Sequence, residues 1–186
     1  MGAWSLTDPQ IEFVFGRIDD ALNGELQAFW VKHLDIYRSE IKAFRAVSGS
    51  ESSTVNVSQR PLLRQPAAIS RDANGTIVGI VFVALREIEP CLGLGTHAYF
   101  QRMYIEHESR SPRLANRLFK AFLNGFDDSA ARRDHRARFL MADNVNPGLH
   151  QARMRRYFTR LGFRMLGGNR LGGEVWARKL QTRFVF

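Results

Sequence analysis

A run of apolar residues at positions 77–83, close behind the pair Asn74-Gly75, limits most strongly what this chain can fold into. The run is continuous rather than alternating, as in a strand that is covered on both faces. Asn-Gly favours a tight β-hairpin turn, so the strand-like segment 67–71 is expected to pair with the run. The sequence therefore predicts a sheet with a layer packed on each face.

Segments with strand-like and helix-like patterns alternate after this hairpin, which indicates an α/β layer structure. With 186 residues, the chain is long enough to bury the core of one domain without disulfides or metal ions. We predict a single domain over 1–186. The further strands are predicted at 97–106, 137–142, 163–166 and 174–180, and the helices among them at 112–125 and 149–161.

Two N-terminal helices are predicted before the sheet, over positions 1–47. Asp8-Pro9 is typical of a helix start and Asn23-Gly24 of a helix end, and apolar residues recur between them at helical spacing. A second stripe of apolar residues, from Leu26 to Phe44, predicts a longer helix. The Ser-rich segment 48–65 has no periodicity and is expected to be a mobile loop.

The composition excludes several classes of protein. No apolar stretch approaches the ~18 residues of a transmembrane helix, and the N-terminus lacks the basic and apolar regions of a signal peptide. Cys91 is the only cysteine, so a disulfide framework is impossible, and no Cys/His spacing is typical of a metal site. We therefore expect a cytoplasmic protein with no membrane association and no metal site.

Charge is distributed unevenly along the chain. Residues 1–100 carry 9 basic and 11 acidic side chains, a net charge of −2, whereas residues 101–186 carry 18 and 7, a net charge of +11. A basic half of this kind suggests a polyanionic ligand, which could be nucleic acid, an anionic surface or a phosphate-bearing cofactor. Solvated arginines on helix surfaces are the alternative.

The segment 101–118 carries the clearest sign of a binding site. It contains a strand, a short polar loop and a helix that begins with Ser111 as N-cap and Pro112 in the first turn. Such a helix start directs backbone N–H groups and the positive end of the helix dipole at one point, which suits phosphate. Arg110 and Arg113 flank this point and supply charged donors. Ordinary helix capping is the alternative.

This segment resembles the acyl-CoA-binding motif of the GNAT N-acyltransferases, a strand followed by V-x-P-x-x-R-G-x-G-x-G/A and a helix. Ser111 and Arg113 stand where the family usually has glycine. The positions that correspond to the valine, the proline, the arginine, the apolar site and the last small residue are Ile105, His107, Arg110, Leu114 and Ala115.

Two more segments resemble the family in the same order along the chain. Residues 71–79 are similar to its hairpin leading to I-V-G, and residues 160–163, in a helix that follows Asn146, are similar to its x-L-G-F signature. The resemblance covers 67–180 and implies an acyl-CoA-binding core there. It also implies a mixed central sheet, flanked by helices and splayed between the strands at 97–106 and 137–142.

The resemblance further implies direct transfer of an acyl group from acetyl-CoA or another acyl-CoA to an amine. Pantetheine would bond the backbone of residues 103–105, and the pyrophosphate would meet the amides of residues 111–116. The residues expected to bind the acyl-CoA are Met103, Tyr104, Ile105, Arg110, Ser111, Arg113, Leu114, Ala115, Asn116, Asn146 and Phe158.

The catalytic residues are less clearly matched. The family's tyrosine, which protonates the departing thiolate, usually lies five residues before the phenylalanine of G-F, and here that position is Phe158. Tyr157 either takes the role or is a packing residue, about 100° around the helix. Gln101 is a candidate to orient the amine or polarise a water, or else it fills the splay as a strand residue.

Two other functions stay open. A degenerate member of this fold would bind an acyl-CoA or another anion without turnover, which Phe158 and Arg113 favour. A nucleic-acid-directed modifier or binder, or another polyanionic partner, would use the arginines of the basic half. These are Arg132, Arg133, Arg136, Arg138, Arg153, Arg155, Arg156 and Arg160. The amine acceptor is expected to meet the N-terminal helices, with Trp30 and Tyr37, and the final pair of strands.

Overall fold

The computed structural model of the chain describes residues 9–47, 64–88, 92–169 and 172–181. These ranges form one seven-stranded sheet in the order β1-β2-β3-β4-β5-β7-β6. The strands are β1 Gln10–Phe13, β2 Gln65–Arg71, β3 Ile77–Glu87, β4 His97–Ile105, β5 Ala137–Asn144, β6 Phe163–Gly168 and β7 Glu174–Lys179. The helices are α1 Asp20–Val47, α2 Pro112–Asp128 and α3 Ala152–Arg160, with 3-10 turns at His107–Ser109, Ala130–Arg132 and Pro147–His150.

The apolar run is the central strand β3, and both of its faces are covered as predicted. Val81 and Val83 pack in the core under α2, with Leu118 and Phe122. Ile80 and Phe82, which alternate with them, pack under α1 in a second core. Alternate side chains of a strand point to opposite faces, so a continuous apolar run was needed to fill both cores.

The hairpin between β2 and β3 is wider than a two-residue turn. Asp72 organises it, because its Oδ1 accepts hydrogen bonds from the backbone N–H groups of Asn74 and Thr76, each at 2.9 Å. Gly75 lies at φ 81°, in the left-handed region that glycine favours. The sequence predicted the pairing correctly, and the carboxylate determines the shape of the turn.

The sheet is mixed and splayed, as the resemblance implied. β4 pairs with β3 in antiparallel fashion up to Ile105, at the end of the strand. Its parallel pairing with β5 runs only from His97 and Ala137 to Gln101 and Ala142. Beyond that point β4 and β5 continue without pairing to each other, so a gap opens in the middle of the sheet.

The two predicted N-terminal helices are not confirmed. The first stripe forms β1, which pairs with β2 in antiparallel fashion, and a turn in which Gly16 lies at φ 68°. α1 begins instead at Asp20, and Oδ1 of the preceding Asp19 accepts a hydrogen bond from the backbone N–H of Leu22 at 2.8 Å. The helix then continues through Asn23-Gly24, which was predicted to end it.

β1 is fixed against the sheet by a close contact with α2. A Cβ atom at Gly125 would lie 2.3 Å from the ring of Phe13, so only glycine allows the ring to sit on the helix there. Of the predicted loop 48–65, residues 48–63 lie outside the described ranges, and Gln65 already belongs to β2. Among the described helices, none is both long and apolar enough to cross a membrane.

Candidate active site

A cavity of about 800 Å³ lies where β4 and β5 diverge. Its walls come from residues 101–105 of β4, residues 143–146 at and after the end of β5, the first turns of α2, and α3. Residues of α1 between Tyr37 and Phe44 close it on the opposite face of the sheet. The cavity therefore passes through the gap in the sheet and contacts the layers on both faces.

Most of the residues predicted from the sequence meet at this cavity. Three predicted cofactor-binding residues at the start of α2, Ser111, Arg113 and Leu114, are not among its described lining residues. Leu114 is buried in the core, and Arg113 is exposed. Those that do line the cavity are Gln101, Met103, Tyr104, Ile105, Arg110, Ala115, Asn116, Asn146, Tyr157 and Phe158.

The predicted cap at the start of α2 is confirmed. Ser111 Oγ accepts a hydrogen bond from the backbone N–H of Leu114 at 3.1 Å, and its carbonyl oxygen accepts one from Ala115 at 3.0 Å. Two of the amides that were expected to meet a pyrophosphate therefore already donate within the helix start. Phosphate binding at Ser111 stays a prediction, and it would use the loop just before these amides.

Arg110 joins three elements beside the cavity. Its Nε and Nη2 donate to the carbonyl oxygen of Ile105 at 3.1 and 2.8 Å. Its Nη1 lies 3.0 Å from Oε1 of Glu40 on α1, and the guanidinium lies 5.7 Å from the ring centroid of Tyr104. The side chain is thus held in place by the end of β4 and by α1.

Tyr157 and Phe158 take different positions on α3. The Tyr157 hydroxyl donates to Oδ1 of Asn116 on α2 at 2.8 Å, and partial burial raises its pKa above the ordinary value. Phe158 is 5% exposed and packs against Phe119 and Trp176, with ring centroids 6.1 and 5.5 Å away. Phe158 contributes only its ring to the cavity wall. Of these two residues, Tyr157 alone has a hydroxyl group there.

Two buried amide side chains face the gap on the same side of the sheet as α3. Gln101 is 8% exposed and Asn144 is 6% exposed, and both line the cavity. Among the described residues, Oε1 of Gln101 and Nδ2 of Asn144 have no hydrogen-bond partner. Sequence reasoning missed Asn144, although a polar residue at the end of the strand that borders the splay could have indicated it.

The α1 side of the cavity carries charged pairs that sequence reasoning also missed. Arg102 Nη2 lies 3.2 Å from Oδ2 of Asp143 across the gap, and each side chain is one-fifth exposed. Of the two residues expected to meet the acceptor, Tyr37 lines the cavity and Trp30 packs behind it at a centroid distance of 5.6 Å, and their contact with an acceptor stays a prediction. Near the gap this face therefore combines aromatic rings with compensated charge.

Half of the arginines that suggested a polyanionic partner already contact carbonyl or carboxylate groups of the protein. The polyanionic partner stays a prediction, and these contacts give it no support. The pairs are Arg132 with the Phe15 carbonyl, Arg133 with the Gln181 carbonyl, Arg136 with Asp134, and Arg155 with Glu174. Within the described ranges, no three His, Cys, Asp or Glu side chains are placed to hold a metal ion.

No family model matches the sequence, and no curated protein matches it. Solved structures match by fold. A GCN5-related N-acetyltransferase from Kribbella flavida aligns with a TM-score of 0.52 at 15% identity, over 92% of this chain and 98% of that one. A GNAT superfamily phosphinothricin acetyltransferase from Sinorhizobium meliloti, in complex with acetyl-CoA, aligns with a TM-score of 0.51 at 13% identity, over 92% and 88%.

The yncA protein from Salmonella typhimurium, solved with its cofactor acetyl-CoA, aligns with a TM-score of 0.50 at 12% identity, over 97% and 98% of the two chains. Identities this low are informative about the fold rather than about the reaction. The alignments nevertheless extend over nearly the whole chain. The protein has the fold of the GNAT superfamily.

Proposed function

We propose that this protein is an acyl-CoA-dependent N-acyltransferase, with acetyl-CoA as the expected donor and an amine as the acceptor. The observation that carries the proposal is the end of β4–β5 pairing at Gln101 and Ala142, with a cavity of about 800 Å³ at that point. Two structures of the same fold are described with acetyl-CoA, which supports this choice of donor.

The cavity fits an acyl-CoA in three respects. The β4 edge at residues 103–105 has no strand beside it on the β5 side, so its backbone can bond the amides of pantetheine like an added strand. Met103 and Phe119 supply apolar wall for the arm. Lys120 and Arg153 supply positive charge that suits the phosphates, whereas the charge of Arg110 is already paired with Glu40.

The chain's own residues can carry out the proton and positioning steps. Acyl-CoA supplies the activated acyl group. Gln101 Oε1 can accept an N–H of the amine and so orient its lone pair towards the acyl carbon. Tyr157 carries its proton at neutral pH, as a tyrosine ordinarily does, and burial raises its pKa further. It can therefore protonate the departing sulfur. Asn116 holds that hydroxyl at the cavity wall.

A second candidate function is acyl-CoA binding without turnover. The buried Phe158 favours it, because this position would carry the proton donor in the family that the sequence resembles, and a phenyl ring has no proton to give. The two candidates share the binding step and differ only at Tyr157. Binding and turnover must therefore be measured separately.

Calorimetric titration with CoA, acetyl-CoA and longer acyl-CoAs tests the binding step. Ala115→Trp fills the cavity from α2 and should weaken acetyl-CoA binding at least about tenfold, or about 1.4 kcal/mol. Ala28→Trp makes the same change on the exposed face of α1 and is the matched control. Absence of acetyl-CoA binding by the wild-type protein would refute both candidates.

Turnover is then measured as release of CoA, with and without a panel of amines, and products are identified by mass spectrometry. Amine acylation that is lost in Ala115→Trp and kept in Ala28→Trp supports the transferase. Tight binding with neither amine acylation nor hydrolysis of acetyl-CoA favours the second candidate.

A further inference from the structure

The two buried amides at the gap form a complementary pair. Gln101 leaves an acceptor atom without a partner, and Asn144 leaves a donor atom without one, among the described residues. A buried polar group without a hydrogen bond lowers stability, so such groups are uncommon without a functional reason. A ligand group with both a carbonyl oxygen and an N–H would satisfy both atoms.

Asn144 lies in a firmly held part of the chain. Asn144 is fixed on both sides, because its backbone pairs with Glu174 of β7 and its carbonyl oxygen accepts a hydrogen bond from Nε2 of His150 at 2.7 Å. The nearby Glu174 carboxylate already accepts hydrogen bonds from Arg155 and from the Trp176 indole, at 2.8 and 3.1 Å. The backbone of Asn144 is therefore held in place, and its side chain lies in the wall of the cavity.

The path of the substrate brings its acyl end to this pair. Phosphates near Ser111 would lie beyond Ile105, and a pantetheine arm along β4 would run from Ile105 back towards Gln101. These residues span about 13 Å at about 3.3 Å per residue, which is comparable to an extended arm. Asn144 stands two residues beyond Ala142, the partner of Gln101, on the opposite wall of the gap.

Resting on the function proposed above, we propose that Asn144 is a catalytic residue whose Nδ2 donates to the acyl carbonyl oxygen, opposite an amine oriented by Gln101. The amine nitrogen bonds to the acyl carbon, and the carbonyl π pair moves to the oxygen, where Nδ2 stabilises the developing charge. That pair then returns, the carbon–sulfur bond breaks and sulfur keeps its electrons. Nitrogen gives one proton to water, and sulfur takes one from Tyr157, which water reprotonates.

Isotope-edited infrared spectroscopy of bound acetyl-CoA, labelled with ¹³C at the carbonyl, tests this directly. A hydrogen bond to the oxygen lowers the carbonyl stretching frequency, so Asn144→Leu should raise the frequency relative to the wild-type protein. Gln101→Met is the matched control, because it also replaces a buried amide by an apolar side chain but removes an acceptor. It should leave the frequency unchanged.

The affinity for CoA, which has no acyl group, should agree within about twofold among the three proteins, since a twofold change is only about 0.4 kcal/mol. Turnover by Asn144→Leu should fall about 10²–10³-fold with little change in KM for acetyl-CoA, as for loss of an oxyanion donor. An unchanged carbonyl frequency in Asn144→Leu, with CoA binding intact, would overturn the assignment.

The wild-type protein provides an independent measurement if the leucine variant does not fold. Its bound carbonyl should absorb at a lower frequency than acetyl-CoA in an aprotic solvent, and a frequency equal to the aprotic one overturns the assignment. Failure of the wild-type protein to bind acetyl-CoA at all would instead refute the function on which the assignment rests.

Discussion

The β4–β5 junction has two halves that differ in how their polar groups are satisfied. In the closed half, residues 97–100 of β4 beside 137–141 of β5, Tyr99 packs between aromatic rings and its hydroxyl accepts a hydrogen bond from the backbone N–H of Asp134 at 2.8 Å. In the open half, which begins at the last pair, Gln101 and Ala142, and continues over residues 102–105 and 143–145, the side chains of Gln101, Tyr104 and Asn144 each leave a buried polar atom without a partner among the described residues.

This difference separates the part of the junction that stabilises the fold from the part that is available to a ligand. Buried polar groups in a folded protein are normally paired, and local violations tend to mark functional sites. Helix α2 shows the same division. Its residues Phe122 and Phe126 are fully buried in the core, whereas Ala115 and Asn116 line the cavity.

The largest expected effect concerns the chemistry of the open half. Tyr157→Phe should lower kcat by about 10²–10⁴-fold, because it removes the proposed proton donor. CoA affinity should be unchanged, since the ring remains. Phe158→Tyr is the partner variant, and a gain in kcat there would mean that the acid position had been left empty. Equal kcat values for the wild-type protein and Tyr157→Phe would exclude the role of Tyr157.

The next effect contrasts the stability of the two halves. Phe126→Ala removes a fully buried ring beside Tyr99 and should lower the free energy of unfolding by about 3–5 kcal/mol. Phe44→Ala truncates a partly exposed ring at the cavity wall and should cost less. Urea unfolding of both variants measures the difference, and equal losses would contradict the division into a closed and an open half.

The sequence predicted β2 to β7 well, because each of these strands depends on a local pattern, whereas the splay was implied by the resemblance. The N-terminal part shows why the rest failed. Ile11, Val14, Phe15 and Ile18 have helical spacing, yet the backbone N–H of Val14 donates to the carbonyl oxygen of Ala67 as the chain leaves the sheet edge. Val14 and Phe15 then pack in the two cores on opposite faces of the sheet. Two consecutive buried residues also occur in the apolar stripe of a helix, so the sequence pattern does not distinguish the two structures.

The candidate site shows a similar division. Strand alternation and the resemblance indicated Gln101, Tyr157 and residues 103–105, and these residues line the cavity, while their roles stay predictions. The ion pair between Arg110 and Glu40, and that between Arg102 and Asp143, join segments that are far apart in the sequence. No local pattern predicts such pairs, because they depend on which helix covers which face of the sheet.

Removing one tyrosine hydroxyl from each half of the junction gives the sharpest comparison. Tyr99→Phe leaves the backbone N–H of Asp134 without its acceptor and should cost about 1–3 kcal/mol of stability. Tyr104→Phe deletes a buried hydroxyl that has no partner among the described residues, so its effect on stability should be near zero or favourable. Denaturant unfolding measures both variants, and a loss in Tyr104→Phe as large as that in Tyr99→Phe would remove the distinction.

The smallest expected effect is the alkaline dependence of stability. Burial raises the pKa of Tyr157 above 10.0, whereas in the unfolded chain its pKa stays near that value. The unfolded state therefore loses its proton first, so the contribution is fully present below about pH 10 and declines as the pH rises through the folded pKa. One such group changes stability by at most about 1.4 kcal/mol per pH unit.

Tyr157→Phe should therefore flatten the alkaline limb of the unfolding free energy, measured in urea across about pH 8–11. Tyr99→Phe should also flatten it, because burial raises that pKa too, although the Asp134 N–H and Arg133 oppose the rise. If neither substitution changes the alkaline decline of the unfolding free energy, the two hydroxyls are hydrated in the folded protein. The junction would then not bury them, contrary to the structure.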